Sequence, residues 1–368
     1  LIKKTLKKTI ITSGDNLVKF EKAIKNYVSC KYTLGFNSAS SALTSACFGL
    51  NISKNDIVWT VPNSFVASAN CALHFGARID FVDIDKDYKN IDIDYLEQKL
   101  TKAKKINKLP KLLISVHFGG QATYQEKIYR LSKKFGFKIL EDASHSLGAK
   151  RFNQFVGSSK WSDATVFSFH PIKTITSAEG GMVCTNDYSI YEKIKLFRNN
   201  GITKNHSEFI KKNEGDWHYE QICLGHNYHL NEIECALGLS QVSQINSFVK
   251  KRNSIANFYD KNIYDCGFKL PKIEKENLSS YHLYAINIDT NKIDKTFFFK
   301  YMLKKGINLN VHYIPIHLHP FYKKLNFKKG DFPNSEWHYD TSISLPMYVG
   351  LKKDEQKKII NLIKKFVE

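Results

Sequence analysis

The strongest constraint on this chain is an alternation. From about residue 15 to 190, short apolar runs of strand length take turns with longer runs whose apolar residues recur at helical spacing. Strands are expected at 32–36, 56–61, 78–83, 111–117 and 137–140, and helices at 15–28, 40–50, 65–75, 93–101 and 124–135. Two more strand candidates, 165–169 and 182–185, flank a glycine-bearing loop. Such alternation marks a parallel or mixed sheet with helices on both faces.

Beyond residue 190 the pattern changes. A helix is expected at 191–198, a polar loop at 202–217, and two long helices at 231–246 and 248–263 with little more than Ser247 between them. Strands at 283–288 and 308–311 and helices at 295–304 and 354–366 complete the chain. A length of 368 residues suits one large domain and a smaller one. The expected division is 1–245 for the large domain and 246–368 for a smaller α+β domain.

Composition excludes little. Lys and Arg number 55 against 35 Asp and Glu, a formal charge of +20. The basic runs at 102–105 and 357–365 are spaced like outer helix faces and lack interleaved aromatics, so solvated surface is the simpler reading. No apolar run reaches the eighteen residues of a membrane span. Seven cysteines, at 30, 47, 71, 184, 223, 235 and 266, are widely spaced without a C-x-x-C pair. That speaks against a disulfide framework or zinc site and for a reducing, cytoplasmic setting. Residues 1–9 are basic without the apolar stretch of a secretory signal, and the chain opens on Leu1, so the natural start is expected upstream.

Four expected strand ends carry residues suited to chemistry. Val166-Phe167-Ser168-Phe169-His170-Pro171-Ile172-Lys173 leads a strand into a Pro-stiffened turn that presents one lysine. The residues after it, T-I-T-S-A-E-G-G, let backbone N–H groups approach an anion. A pocketed lysine with a lowered pKa is what Schiff-base chemistry requires, yet in so Lys-rich a chain a single lysine is nearly always surface. Asp142 ends the apolar strand of Ile139-Leu140-Glu141-Asp142, where open α/β sheets bind ligands. A carboxylate there can pair with a pyridinium nitrogen, and it can equally cap the next helix. Asn37-Ser38-Ala39-Ser40-Ser41 opens a helix, which serves as an ordinary N-cap or as a phosphate site. Phe65, just past another strand end, could stack on a flat ring or join the core.

In this order and spacing the four segments resemble the DegT/DnrJ/EryC/StrS sugar aminotransferases, which are fold type I pyridoxal-phosphate (PLP) enzymes. The likeness runs from Thr12-Ser13-Gly14 to the last helix, and is densest in F-S-F-H-P-I-K-T-I-T-S-A-E-G-G, E-D-A-S-H-S-L-G-A and L-G-H-N-Y-H-L-N-E-I-E-C-A-L-G-L-S-Q. Segments 224–241, 310–317 and 343–347 resemble the branch that serves pseudaminic acid synthesis. The resemblance implies an α/β fold, PLP as cofactor, no metal, a UDP-linked 4-keto-6-deoxy-N-acetylhexosamine as substrate and L-glutamate as amino donor. It also implies a homodimer with shared active sites, and no nucleic-acid or membrane partner.

By position, Lys173 matches the cofactor-bearing lysine and Asp142 the partner of the pyridine nitrogen. His145 matches a residue near the phenolic oxygen, Phe65 the stacking aromatic, and Ala39, Ser40 and Ser168 the phosphate cup. Asn227 matches an Asn that reaches the phosphate from the neighbouring subunit. Thr12, His312 and Tyr313 match stretches lining the sugar-nucleotide site. Two features depart: His229 stands where the family often carries Arg or Lys, and an aromatic-bearing stretch before Thr12 is missing from this sequence. Three alternatives compete with this reading. They are a UDP- or dTDP-4-keto-6-deoxyhexose of the bacillosamine or perosamine type, a dehydratase branch with His in place of the lysine, and a basic nucleic-acid-binding or regulatory protein on the same fold.

Overall fold

Seven strands build the central sheet: β1 (Tyr32–Phe36), β2 (Ile57–Thr60), β3 (Arg78–Phe81), β4 (Leu112–Val116), β5 (Lys138–Asp142), β6 (Ala164–Ser168) and β7 (Gly181–Thr185). The structure, a computed structural model, describes residues 1–211, 213–263 and 267–368. Strand order is β1-β7-β6-β5-β4-β2-β3, with β7 antiparallel to both neighbours and the other pairs parallel. Every residue of β4, β6 and β7 is buried, as expected of strands covered on both faces. Alternate side chains feed opposite cores. Val58, Leu112, Ile114, Leu140 and Val166 pack on one face, and Trp59, Leu113, Ile139 and Phe167 on the other.

The flanking helices follow from apolar spacing and end signals. Asp15–Val28 buries Leu17, Phe20, Ile24 and Val28 along one stripe and stops at Ser29, which takes a left-handed φ of 62°. Ala39–Gly49 is nearly all small residues, so it lies buried close to the sheet. Its start is held by a reciprocal capping box between Ser38 and Ser41.

A three-stranded sheet of Phe268–Lys269, Tyr284–Ile288 and Ser342–Leu345, with Tyr284–Ile288 in the middle, carries the second core, built from Tyr259, Ile286, Phe298, Ile343 and Ile360 among others. This later chain also reaches back. Asn277–Leu278 pairs with Lys150–Arg151, while Ile316, Tyr322 and Phe332 join the core beside Phe81. The contact is close at Gly120, whose φ is 103° and whose missing Cβ would stand 2.5 Å from Ser280 Oγ and 2.9 Å from the His282 nitrogen. Among the described residues, no helix is long and apolar enough to cross a membrane.

Three expectations need correction. Residues 308–311 form no strand; only Asn310 makes an isolated bridge, to Ser344. The break between the two long helices falls at 243–244 rather than near Ser247, because Ile245 is fully buried and needs the second helix's register. The loop expected at 202–217 contributes Ile202–Thr203, which pairs with Glu220–Gln221. The helix Pro333–Thr341 and the strand Ser342–Leu345 were not anticipated.

Gly120→Ala is expected to lower stability by about 3 kcal/mol, from a positive-φ strain and the displaced backbone of 280–282. Urea denaturation followed by tryptophan fluorescence measures this.

Candidate active site

Parallel strands end on one edge, and a cavity lined by chemistry-bearing residues lies there. It holds about 490 Å³ and receives Val116 from the end of β4, Asp142 from β5 and Ser168 from β6. Ser38, Ala39 and Ser40 arrive from the turn after β1, and Ser64 and Phe65 from the loop after β2.

Asp142 is 6% exposed, so its carboxylate needs polar company. Ser144 supplies its hydroxyl at 2.6 Å and its N–H at 3.1 Å to Oδ1, and Ser68 donates at 2.6 Å to Oδ2. Lys173 lines the same cavity from a folded-back turn. Its N–H donates to the His170 carbonyl at 2.9 Å, and Ser177 N–H and Thr176 Oγ1 both donate to the Phe169 carbonyl. Burial lowers the lysine pKa to about 8, while the Asp142 carboxylate pulls it the other way. An amine poised there is a usable nucleophile and base near neutral pH.

The start of helix Ala39–Gly49 meets the cavity between these groups. The first N–H groups of a helix have no intrahelical partner; here Ser38 Oγ takes that of Ser41, and Ala39 and Ser40, the first two residues of the helix, line the cavity. Gly181 makes the approach possible, since a Cβ there would lie 2.4 Å from the Ser38 carbonyl oxygen.

His145 faces the cavity with its tautomer assigned by its partners. Gly119 N–H donates to Nδ1 at 3.3 Å, so Nε2 carries the proton and donates to the Tyr313 hydroxyl at 2.9 Å. Burial, with Lys173 and His312 adding, holds His145 well below its ordinary pKa. Burial likewise pushes the Tyr313 hydroxyl up, and His312, held at Nδ1 by Ser344 Oγ at 2.8 Å, falls to about 4. Phe65 is 60% exposed, its ring 6.5 Å from that of Tyr313, and so belongs to the cavity wall and not to the core.

Ala39, Ser40, Phe65, Asp142, His145, Ser168, Lys173, His312 and Tyr313 thus converge on one cavity. Asn227 and Thr12 do not. Both are exposed; Asn227 bridges to Asn199 and Thr12 to Asn231. His229 lies apart as well, 3.1 Å from Asn199 Oδ1 and 3.5 Å from Ser13 Oγ. Sequence reasoning missed Ser68 and Ser144. Ser144 sits inside the E-D-A-S-H motif, and Ser64 with Ser68 forms an i,i+4 hydroxyl pair that could have flagged the second.

A model of the DegT/DnrJ/EryC1/StrS aminotransferase family matches residues 1–364. The chain belongs to that family. Among its relatives, the UDP-4-amino-4,6-dideoxy-N-acetyl-beta-L-altrosamine transaminase of Campylobacter jejuni is 38% identical over 360 residues, 96% of this chain and 90% of the relative. The structure of Helicobacter pylori PseC, an aminotransferase involved in the biosynthesis of pseudoaminic acid, superposes with a TM-score of 0.89 at 35% identity, covering 100% of this chain and 95% of that one. A sugar aminotransferase of Streptococcus pneumoniae solved in its PLP form gives 0.88 at 26% identity, covering 99% and 94%.

This aminotransferase is a fold type I, PLP-dependent sugar aminotransferase, and its cavity suits that cofactor. It offers an amine able to lose its proton near pH 8, a carboxylate held by three donors, and a helix start at Ala39 and Ser40. The amine reacts when neutral, so capture of PLP by the cofactor-free protein should speed up as pH rises towards and through about 8, then level off. Removing the charge in Asp142→Asn removes the influence that raises the lysine pKa and should move this profile to lower pH. Stopped-flow absorbance of PLP binding against pH tests both.

Proposed function

We propose that this enzyme moves the amino group of L-glutamate to C4 of UDP-2-acetamido-2,6-dideoxy-β-L-arabino-hex-4-ulose, giving the 4-amino sugar for pseudaminic acid synthesis. The observation that carries it is the meeting of Lys173, Asp142 and the helix start at Ala39 in one cavity, within a chain closely similar to enzymes named for that reaction. Lys173 would hold the cofactor through Nζ and Asp142 would pair with its ring nitrogen. Ala39, Ser40 and Ser168 would bind its phosphate, Phe65 would stack on the ring and His145 would meet the phenolic oxygen.

When bound, PLP supplies an electron sink that lets a carbon-bound hydrogen of the donor leave as a proton. Lys173, its amine set free once the donor's amino group has taken its place, would take that proton at Nζ and return it, a role suited to an amine whose pKa lies near 8. His145 stays neutral and donates from Nε2. Tyr313 and His312 line the sugar side, where their neutral hydroxyl and ring offer hydrogen bonds without charge.

The proposal includes a homodimer with shared sites. Support comes from Asn227 and Thr12, which lie on the surface away from their own cavity, and from the exposed Ile210, Trp217, Tyr219 and Leu224 nearby in sequence. The six described cysteines are free, in keeping with a reducing cytoplasmic setting.

Lys173→Ala should abolish the absorbance band of the linked cofactor and slow amino transfer by at least about 10²- to 10⁴-fold, the range of a lost positioned base. Substrate identity is tested by offering a panel of UDP- and dTDP-linked 4-keto sugars with glutamate and reading products by mass. The β-L-arabino compound should gain the amine. Its survival alongside amination of a D-xylo compound would overturn the assignment in favour of a bacillosamine- or perosamine-type substrate.

A further inference from the structure

The carboxylate of Asp142 is met from behind by a hydroxyl chain. Ser68 is fully buried, does not line the cavity, and donates its single hydroxyl hydrogen to Asp142 Oδ2 at 2.6 Å. Ser64 Oγ lies 2.7 Å from Ser68 Oγ. The hydrogen of Ser68 is already committed, so Ser64 must be the donor between them, and the chain runs one way, from Ser64 through Ser68 to Asp142. Ser64 is buried at the cavity wall. On the other oxygen, Ser144 donates from both hydroxyl and N–H.

With these donors on both of its oxygens, the Asp142 carboxylate is held in one orientation. Hydrogen bonds in series polarise one another, so the Ser64 link strengthens the Ser68 link. We propose that Ser68, backed by Ser64, is a positioning residue that fixes the orientation of Asp142 towards the cofactor ring nitrogen. The inference rests on the pairing assigned to Asp142 above, and not on which sugar is the substrate.

The test compares Ser68→Ala, Ser68→Thr and Asp142→Asn with the wild type in the purified protein supplied with PLP. Ser68→Ala should weaken PLP binding by about 10- to 100-fold, the scale of one hydrogen bond to a charged group. It should also alter the absorption spectrum of the bound cofactor and lower kcat while leaving KM for glutamate nearly unchanged. Ser68→Thr, which keeps the hydroxyl, should restore affinity and spectrum. A merely space-filling role would leave the spectrum alone.

Wild-type affinity and spectrum in Ser68→Ala would overturn the proposal, provided Asp142→Asn changes them. If Asp142→Asn changes neither, the pairing of Asp142 itself falls. Should Ser68→Ala fail to fold, Ser64→Ala decides: a few-fold loss of PLP affinity supports the chain, and no loss overturns it.

Discussion

A carboxylate buried at the end of the sheet's middle strand is the constraint on which the rest of this structure turns. Asp142 closes β5, the fourth of seven strands, with only 6% of its surface exposed. Burying such a charge without partners would cost far more than a domain can spare. The surroundings answer with Ser68, with both donors of Ser144, and with the nearby Lys173 amine whose pKa the carboxylate raises. The helix after β2 and the turn after β5 are therefore held where their hydroxyls can reach it.

Two opposed effects on Lys173 follow from the same burial. Leaving water favours the neutral amine, and the field of Asp142 favours the charged one; desolvation wins, and the balance settles near pH 8. A lysine at its ordinary value would be almost wholly protonated at neutral pH and a poor nucleophile. The imidazoles beside it obey the same logic. Buried and with Lys173 close by, His145 and His312 remain neutral, so their hydrogen-bonding roles hold across the physiological range.

The smaller sheet serves this centre from a distance. Its strand Ser342–Leu345 presents Ser344 to His312, and the buried His338 donates to the His312 carbonyl at 3.1 Å. The joint at Gly120 sets 279–283 against the turn that donates Gly119 N–H to His145. Packing between the two cores thereby fixes a tautomer inside the active cavity.

The sequence by itself determined the alternating architecture, and with it the edge where ligands bind. Strand β1 and helix Asp15–Val28 fall at the expected residues because apolar period and stop signals are local properties. Lys173, Asp142 and the Ala39 turn were legible for a similar reason: each lies in a short contiguous motif next to a strand end. Only the tertiary structure decided the rest. It showed that 308–311 makes one isolated bridge and no ladder, and that Ser68 serves Asp142 across 74 residues. It also fixed the proton of His145 through a backbone N–H 26 residues away. Hydrogen bonds between distant segments leave no periodic trace in a chain, because any small polar residue can make them and only the packed backbone chooses which one does.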